Sequence, residues 1–170
     1  MAERVLKKVC LLGDGAIGKT SLIRRFVFDQ FDDRYIMTFG TKVVKKTLTM
    51  KKDSRDLEVT LMIWDILGQR MHDPLHAAYY QGASGALIGF DITRKETFDN
   101  MREWVAAFRK ASPNSHLLFF ANKSDLPNWA VTEEQFNDLS KEFGAPPMLT
   151  SAKMGKNVEE SFAEIARMMC

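Results

Sequence analysis

The glycine-rich segment at residues 13–20, with the sequence GDGAIGKT, is the feature that most constrains this chain. It matches the pattern G-x-x-x-x-G-K-[ST] at every fixed position. The apolar residues 9–12 before it predict a buried strand, and the apolar spacing of residues 21–27 after it predicts a helix. A strand, a glycine loop and a helix in this order form a phosphate cradle, because backbone N–H groups and the helix N-terminus converge on an anion.

This loop predicts roles for individual residues of a nucleoside triphosphate site. Lys19 is expected to reach the β- and γ-phosphates, and the Thr20 hydroxyl is expected to bind Mg²⁺. The alternative is an ordinary glycine turn between a strand and a helix, which the matching flanks argue against. The other loop residues are expected to present backbone N–H groups to the phosphates; they are Gly13, Asp14, Gly15, Ala16, Ile17 and Gly18.

A second motif, N-K-x-D at residues 122–125, bears on the choice of base. It follows an apolar run at residues 116–121 that predicts another buried strand. The Asp125 carboxylate can accept both N1–H and the 2-amino group of guanine, a donor pair that adenine lacks. Asn122 is expected to brace the loop and to face N7. Taken alone, the motif is explained equally well by a polar turn that ends a strand, since Pro127 lies close by.

The segment WDILGQ at residues 64–69 follows a predicted strand at 57–64. Asp65 then lies level with the phosphate loop and is expected to hold the Mg²⁺ shell through water. Gly68 can bring its N–H close to a γ-phosphate, and Gln69 is predicted to orient the attacking water. The alternative is a strand-to-turn junction with a solvated glutamine. A fourth segment, SAK at residues 151–153, follows a short predicted strand at 147–150. It is weak evidence alone and becomes informative only as the last motif after those at 13–20, 64–69 and 122–125.

In this order the motifs resemble those of the Ras superfamily of small GTPases over nearly the whole chain. The segments YYQGA at 79–83 and FDIT at 90–93 are most similar to the Rab branch, and YIMTFG at 35–40 resembles its first switch. The resemblance implies a P-loop G domain and a molecular switch for signalling or vesicle traffic. Such a switch binds GTP and GDP with Mg²⁺, and it hydrolyses GTP slowly without an activating partner.

The resemblance assigns further residues to the phosphates and the metal. Thr38 is the switch threonine, whose hydroxyl binds Mg²⁺ together with Thr20 and Asp65, and whose N–H contacts the γ-phosphate. Ser21 donates its backbone N–H to the α-phosphate. The catalytic set implied in this way consists of Gln69, Lys19 and Thr38.

The resemblance also assigns residues to the guanine base. Phe31 packs against the edge of the base, and Lys123 lies along its plane. The Ala152 N–H meets O6, and Ser151 and Lys153 complete this base-binding segment. Switch loops at about residues 31–41 and 65–80 are expected to present a nucleotide-dependent surface to effectors, exchange factors and activating proteins. The aromatic residues Trp64 and Tyr79 either flank that surface or pack beneath the second switch.

The second switch departs from the family pattern. Ile66 and Leu67 stand where the family usually has Thr-Ala, and Arg70 stands where a glutamate is common. In the family, exchange factors often use that glutamate to pair with the loop lysine as the nucleotide leaves. Because Arg70 would repel Lys19 instead, we expect nucleotide exchange not to follow this route unchanged. Pro74 is expected to break or restart the switch helix, since proline lacks an N–H donor.

The two histidines in this region, His72 and His76, are expected to be solvated residues rather than pH sensors. Two arginines, Arg34 and Arg70, flank the site, but an arginine supplied by a partner is favoured over either acting in cis.

Composition bounds the class of protein. Lysine and arginine number 24 against 22 acidic residues, so the chain lacks the strong positive field typical of nucleic-acid binding. Its 170 residues suffice for one domain with a full core, and we expect residues 1–170 to form a single G domain. Two cysteines give no disulfide framework, and nothing resembles a signal peptide or membrane span. A cytoplasmic protein is therefore expected.

The C-terminus lacks the features of a lipidated tail. Cys170 is the last residue and has no a-a-X sequence after it and no cysteine beside it. We expect the prenylated tail of Ras and Rab proteins to be absent from this chain. Peripheral membrane association is expected only if such a tail was removed, and the sequence leaves that question open.

The spacing of apolar residues predicts alternating strands and helices. Strands are predicted near residues 5–12, 39–50, 57–65, 84–91, 115–121 and 147–150, and helices near 19–28, 70–80, 95–110, 132–143 and 156–169. This alternation implies an α/β fold: a mostly parallel six-stranded sheet with one antiparallel edge hairpin and helices on both faces. The hairpin at residues 42–57 is long and basic, and a solvated turn is favoured over contact with an acidic partner or lipid.

Three functional classes remain open. The first is a GTPase switch in which loss of the γ-phosphate releases Thr38 and Gly68. The second is a GTP-binding scaffold that does not cycle, which the unusual second switch favours and Gln69 argues against. The third is a P-loop kinase or ATPase, against which Asn122 and Asp125 both argue.

Overall fold

The computed structural model describes residues 2–28, 41–66 and 74–170. In these residues six strands form one sheet in the order β2-β3-β1-β4-β5-β6. The strands are β1 (Glu3–Leu12), β2 (Thr41–Lys52), β3 (Arg55–Ile66), β4 (Gly85–Asp91), β5 (His116–Asn122) and β6 (Pro147–Leu149). Only the β2–β3 pair is antiparallel among these strands. The predicted mostly parallel sheet with one antiparallel edge hairpin is thus confirmed.

Helices cover both faces of the sheet, as the alternation of elements predicts. The helices in the described residues are α1 (Lys19–Phe28), α2 (Pro74–Tyr80), α3 (Lys95–Asp99), α4 (Met101–Ala111), α5 (Glu133–Phe143) and α6 (Val158–Met169). The described part of α2 begins at Pro74, and the first turn of a helix accepts a proline because no intrahelical N–H bond is needed there. Residues 70–73 of the predicted helix lie outside the described residues, so the break or restart expected at Pro74 stays a prediction.

One predicted helix differs from the structure. The apolar spacing predicts a single helix over 95–110, but the structure separates α3 from α4 at Asn100, whose ψ is −5°. The Asn100 side chain leaves the helical surface and donates to Asp14 Oδ2 at 2.7 Å. A single interrupting residue of this kind is invisible to a periodicity argument, since the apolar stripe continues on both sides of it.

The core forms two layers, one on each face of the sheet. Helices α2 to α5 cover one layer, and α1 and α6 cover the other, where the rings of Phe26 and Phe162 stack with centroids 4.1 Å apart. Cys10 is fully buried, as predicted, and burial raises the pKa of its thiol to about 12. The stripes predicted as core are buried or half-buried: Phe98, Met101, Val105, Phe108, Phe136, Leu139, Phe143, Val158, Phe162, Ile165, Ala166 and Met169.

The edge hairpin is regular over its whole length. Strands β2 and β3 have 12 residues each and pair from Thr41–Ile66 to Lys52–Arg55. A two-residue turn joins them, and both its residues, Asp53 and Ser54, have positive φ, as the favoured hairpin turn requires. Several of its cations have local partners. Lys52 donates to the Arg167 carbonyl at the end of α6, while Lys51 and Arg55 pair with Asp56 and Glu3.

Parallel pairing brings the carboxyl ends of the inner strands to one edge of the sheet. Asp65, Asp91 and Asn122 stand at or next to the ends of β3, β4 and β5, beside the loop that follows β1. Open α/β sheets bind ligands at this edge. Within the described part of the chain no helix is long and apolar enough to cross a membrane.

The close packing of β4 on β5 predicts that a side chain at Gly89 destabilises the fold. A Cβ added at Gly89 would lie 2.2 Å from ring atoms of Phe120, which is fully buried. We expect Gly89→Ala to lower the free energy of unfolding by about 1–3 kcal/mol, because the ring has no room to move. Urea denaturation of Gly89→Ala, Phe120→Leu and the double variant measures this. The double variant should be less destabilised than the sum of the single variants; strict additivity would contradict the proposed clash.

Candidate functional site

Lys19 lies inside the glycine loop and closes it. Its Nζ donates to the Gly13 carbonyl at 2.7 Å and to the Asp14 carbonyl at 2.9 Å, and the residue is only 7% exposed. Burial lowers the pKa of Lys19 to about 8, against the attraction of Asp65 and Asp14. An ammonium group that is removed from water in this way is stabilised by any anion that enters the loop.

The next three loop carbonyls are held by side chains from other elements. Arg94 donates to Gly15 O at 3.0 Å, Lys123 to Ala16 O at 2.9 Å and Asn122 to Ile17 O at 2.9 Å. The Gly18 carbonyl accepts from the N–H of Leu22 in the first turn of α1, at 2.8 Å. Every carbonyl from residue 13 to residue 18 therefore accepts a hydrogen bond.

Asn122 connects the loop to the segment that follows β6. The residue is 2% exposed, and its Oδ1 accepts from the Thr150 hydroxyl at 3.1 Å and from the Ala152 N–H at 3.3 Å. A Cβ at Gly18 would lie 2.3 Å from Asn122 Nδ2, and the φ of Gly18 is +99°. Only glycine fits at this position. The geometry agrees with the predicted bracing role of Asn122, whereas its contact with N7 stays a prediction.

Thr20 and Asp65 meet where the sequence predicts a metal. The Thr20 hydroxyl donates to Asp65 Oδ2 at 2.7 Å, and Asp65 is 2% exposed at the end of β3. A hydroxyl and a carboxylate are hard oxygen ligands of the kind that Mg²⁺ prefers, so this pair fits that ion. Within the described residues no three acidic, histidine or cysteine side chains cluster. Thr38, the third predicted ligand, lies outside the described residues.

The predicted base-binding residues lie together at the other end of the loop. Asp125 is exposed, and its Oδ1 accepts from the fully buried Ser151 hydroxyl at 2.8 Å. Arg25 of α1 donates through Nε to the Ala152 carbonyl at 2.8 Å and through its guanidinium to the Lys153 carbonyl. Ser151 thus orients Asp125, while Arg25 holds the backbone that follows Ser151.

Four predicted site residues lie outside the described residues: Phe31, Thr38, Gly68 and Gln69. The same holds for Leu67, Arg70, His72 and Arg34. Of the others, Ser21 is half-buried in the first turn of α1, where its N–H belongs to the helix N-terminus. The bulky Ile66 at the end of β3 is buried in the core, 1% exposed.

The structure adds the orientation of one side chain, Asp14, and overturns one expectation, that for His76. The Asp14 carboxylate accepts from Trp104 Nε1 at 2.8 Å and from Asn100 Nδ2 at 2.7 Å, so it faces α4 and leaves only backbone for a phosphate. The expectation of a solvated His76 is wrong, because that residue is 4% exposed. Its ring lies 6.4 Å from Trp104 and 6.0 Å from Tyr80, since α2 packs against α4.

Sequence reasoning missed Asp91 and Arg94 as members of the site. Asp91 is 1% exposed, and its Oδ2 accepts from Arg94 at 3.1 Å and Lys123 at 3.0 Å. Burial by itself raises the pKa of Asp91, but hydrogen bonds from Thr93 and Lys123 outweigh it and hold that pKa below its usual value. The sequence offered one signal that could have found Asp91: it ends a buried strand, as Asp65 and Asn122 also stand at strand ends.

Comparison with known proteins agrees with this geometry. The Ras family model matches residues 8–170. The chain is similar to the Ras-related protein SEC4 of Saccharomyces cerevisiae, at 36% identity over 165 residues, which cover 96% of this chain and 75% of that protein. It is 38% identical to the GTP-binding protein YPTM2 of Zea mays over 163 residues, covering 95% and 78%. The Ras-related protein Rab-22A of Mus musculus is 38% identical over 169 residues, covering 98% and 84%.

The burial of Lys19 predicts a pH dependence of stability without nucleotide. Its pKa falls from 10.5 in the unfolded chain to about 8 in the fold, so its charged form destabilises the fold and this cost is relieved as pH rises through that window. Relative to Lys19→Met, the free energy of unfolding of the wild type should rise by about 2 kcal/mol between pH 8 and pH 10. Chemical denaturation across this pH range tests it; parallel curves for the two proteins would refute it.

Proposed function

This chain belongs to the Ras family of GTPases, and on that premise we propose that it is a Rab-like molecular switch that retains GDP or GTP and hydrolyses GTP slowly. The observation that carries the proposal is the position of Asn122. One buried amide group bonds to the phosphate loop at Ile17 and to the base segment at Ala152. A phosphate site and a base site are therefore held at a constant separation, as a nucleotide requires.

Guanine recognition is proposed for Asp125 together with the segment 151–153. Asp125 is exposed and oriented by Ser151, so its carboxylate can accept the two donors of guanine. We assign Lys123 to the base plane, the Ala152 N–H to O6 and Phe31 to the edge of the base. Adenine would leave the carboxylate without its donor pair.

Phosphate binding is proposed for the loop N–H groups and Lys19. The buried ammonium lies at the loop centre, where it can leave its carbonyl partners for the β- and γ-phosphates. Thr20, Asp65 and Thr38 are proposed to hold Mg²⁺, which when bound neutralises charge between the β- and γ-phosphates. The Gly68 N–H and Gln69 are proposed to contact the γ-phosphate and to orient water, respectively.

A partner surface is proposed where the sheet face meets α2. Trp64 and Tyr79 are half-buried, with ring centroids 6.1 Å apart, and Lys8 lies 3.9 Å above the Trp64 ring. Val43, paired with Trp64 across the hairpin, is 44% exposed. We propose that effectors and regulators contact these residues together with the switches, since aromatic and apolar groups of this kind are enriched at interfaces.

The water-positioning role of Gln69 predicts a separation of binding from hydrolysis. Gln69→Leu should bind GTP with Mg²⁺ as the wild type does, but hydrolyse it at least about tenfold more slowly, because no amide orients the water. Single-turnover conversion of bound GTP, followed by chromatography, measures this, with ATP as the control nucleotide. A wild type that retains GTP unconverted would instead indicate a non-cycling scaffold, and retention of an adenine nucleotide would overturn the proposal.

The role of Asp125 predicts a change of base preference. Asp125→Asn should weaken GDP binding at least about a hundredfold and accept xanthosine diphosphate, because an amide N–H suits the 2-oxo group of xanthine. Competition binding with the two diphosphates gives the ratio. As a matched control, Asp138→Asn changes a carboxylate on the exposed face of α5 and should leave the ratio unchanged. An unaltered preference in Asp125→Asn would remove this residue from the base site.

A further inference from the structure

Arg94 contacts the phosphate loop from outside the motifs that define it. Strand β4 ends at Asp91, and the chain turns so that the Thr93 N–H and hydroxyl donate to Asp91 Oδ1 at 2.9 and 2.7 Å. The turn leaves Asp91 Oδ2 to accept from Arg94 Nε at 3.1 Å and from Lys123 Nζ at 3.0 Å. One buried carboxylate therefore holds two cations side by side.

Each of these cations has a second bond, and the two bonds go to successive loop carbonyls. The Arg94 guanidinium donates to Gly15 O at 3.0 Å, and Lys123 Nζ donates to Ala16 O at 2.9 Å. In a planar trans peptide the carbonyl and the following N–H point in opposite directions. Holding Gly15 O directs the Ala16 N–H away from Arg94, and holding Ala16 O directs the Ile17 N–H away from Lys123.

The loop needs these two hydrogen bonds because of the backbone conformation at Ala16. Its φ is +62°, a left-handed conformation that residues other than glycine adopt uncommonly and at a cost. Arg94 holds the peptide plane before Ala16, and Lys123 holds the plane after it. Both dihedral angles of the strained residue are thus constrained through Asp91.

We propose that Arg94 is a positioning residue that latches the phosphate loop in its anion-binding conformation and so slows the release of bound nucleotide. The proposal rests on the proposed function, since it names a determinant of retention at the same site. Two cations on one carboxylate also leave an excess positive charge beside the loop, which favours a polyphosphate. The fork of an arginine suits this place, because separate nitrogens bond to Asp91 and to Gly15.

The test compares Arg94→Ala with Lys95→Ala. Lys95 is the neighbouring cation, is exposed and pairs with Asp99 at 2.8 Å, so its removal changes the net charge equally without touching the loop. Release of a fluorescent GDP analogue, chased with excess GDP and Mg²⁺, should be about five- to tenfold faster in Arg94→Ala and unchanged in Lys95→Ala. Arg94→Lys, which keeps the charge but loses the fork, should lie between Arg94→Ala and the wild type.

Two further readouts separate a latch from a general loss of stability or a catalytic role. In the nucleotide-free proteins, the amide resonances of Ala16 and Ile17 should shift in Arg94→Ala and stay in place in Lys95→Ala. Single-turnover hydrolysis of bound GTP should change less than release does. Equal release from both alanine variants would overturn the latch alone, as would hydrolysis falling while release stays constant. Failure of the wild type to take up the GDP analogue would instead overturn the proposed function.

Discussion

The outward direction of the loop carbonyls is the constraint on which the site depends. Apart from Ile17, which is buried in the core, and Asp14, which accepts from Trp104, this glycine-rich loop has little side-chain packing, so its backbone conformation depends on bonds from its surroundings. Here Lys19, Arg94, Lys123 and Asn122 hold the carbonyls of residues 13–17, and α1 holds the next one. A carbonyl turned inward would repel a phosphate, whereas an N–H attracts it.

The groups that hold the loop come from the ends of parallel strands. Asp91 and Asn122 end β4 and β5, which pair in register from Gly85 with His116 to Asp91 with Asn122. Because those two strands end level with each other, Lys123 can reach both Asp91 and the loop. Close strand packing, with Gly89 against Phe120, brings these ends together. The fold thus acts on the site through sheet register rather than through any single motif.

Local patterns predicted most of the fold because they report burial directly. The α5 capping box, with Thr132 and Gln135 bonding reciprocally, follows from residues three apart in the chain. The apolar stripes follow from helical spacing. The pairing of Arg94 with Gly15 spans 79 residues, and that of Lys123 with Ala16 spans 107. No local pattern encodes such pairs, since a charged side chain at a strand end looks the same whether it meets solvent or a carbonyl.

The sequence by itself determined the phosphate loop, the order of strands and helices, and the residue types offered to a nucleotide, because each of these is written in short spacings. Tertiary structure alone decided where side chains point. It turned Asp14 toward Trp104 and Asn100, and it buried His76 against Trp104. It also set two cations on Asp91. These outcomes depend on which elements pack together, and packing satisfies buried polar groups with whatever partner lies within hydrogen-bond distance.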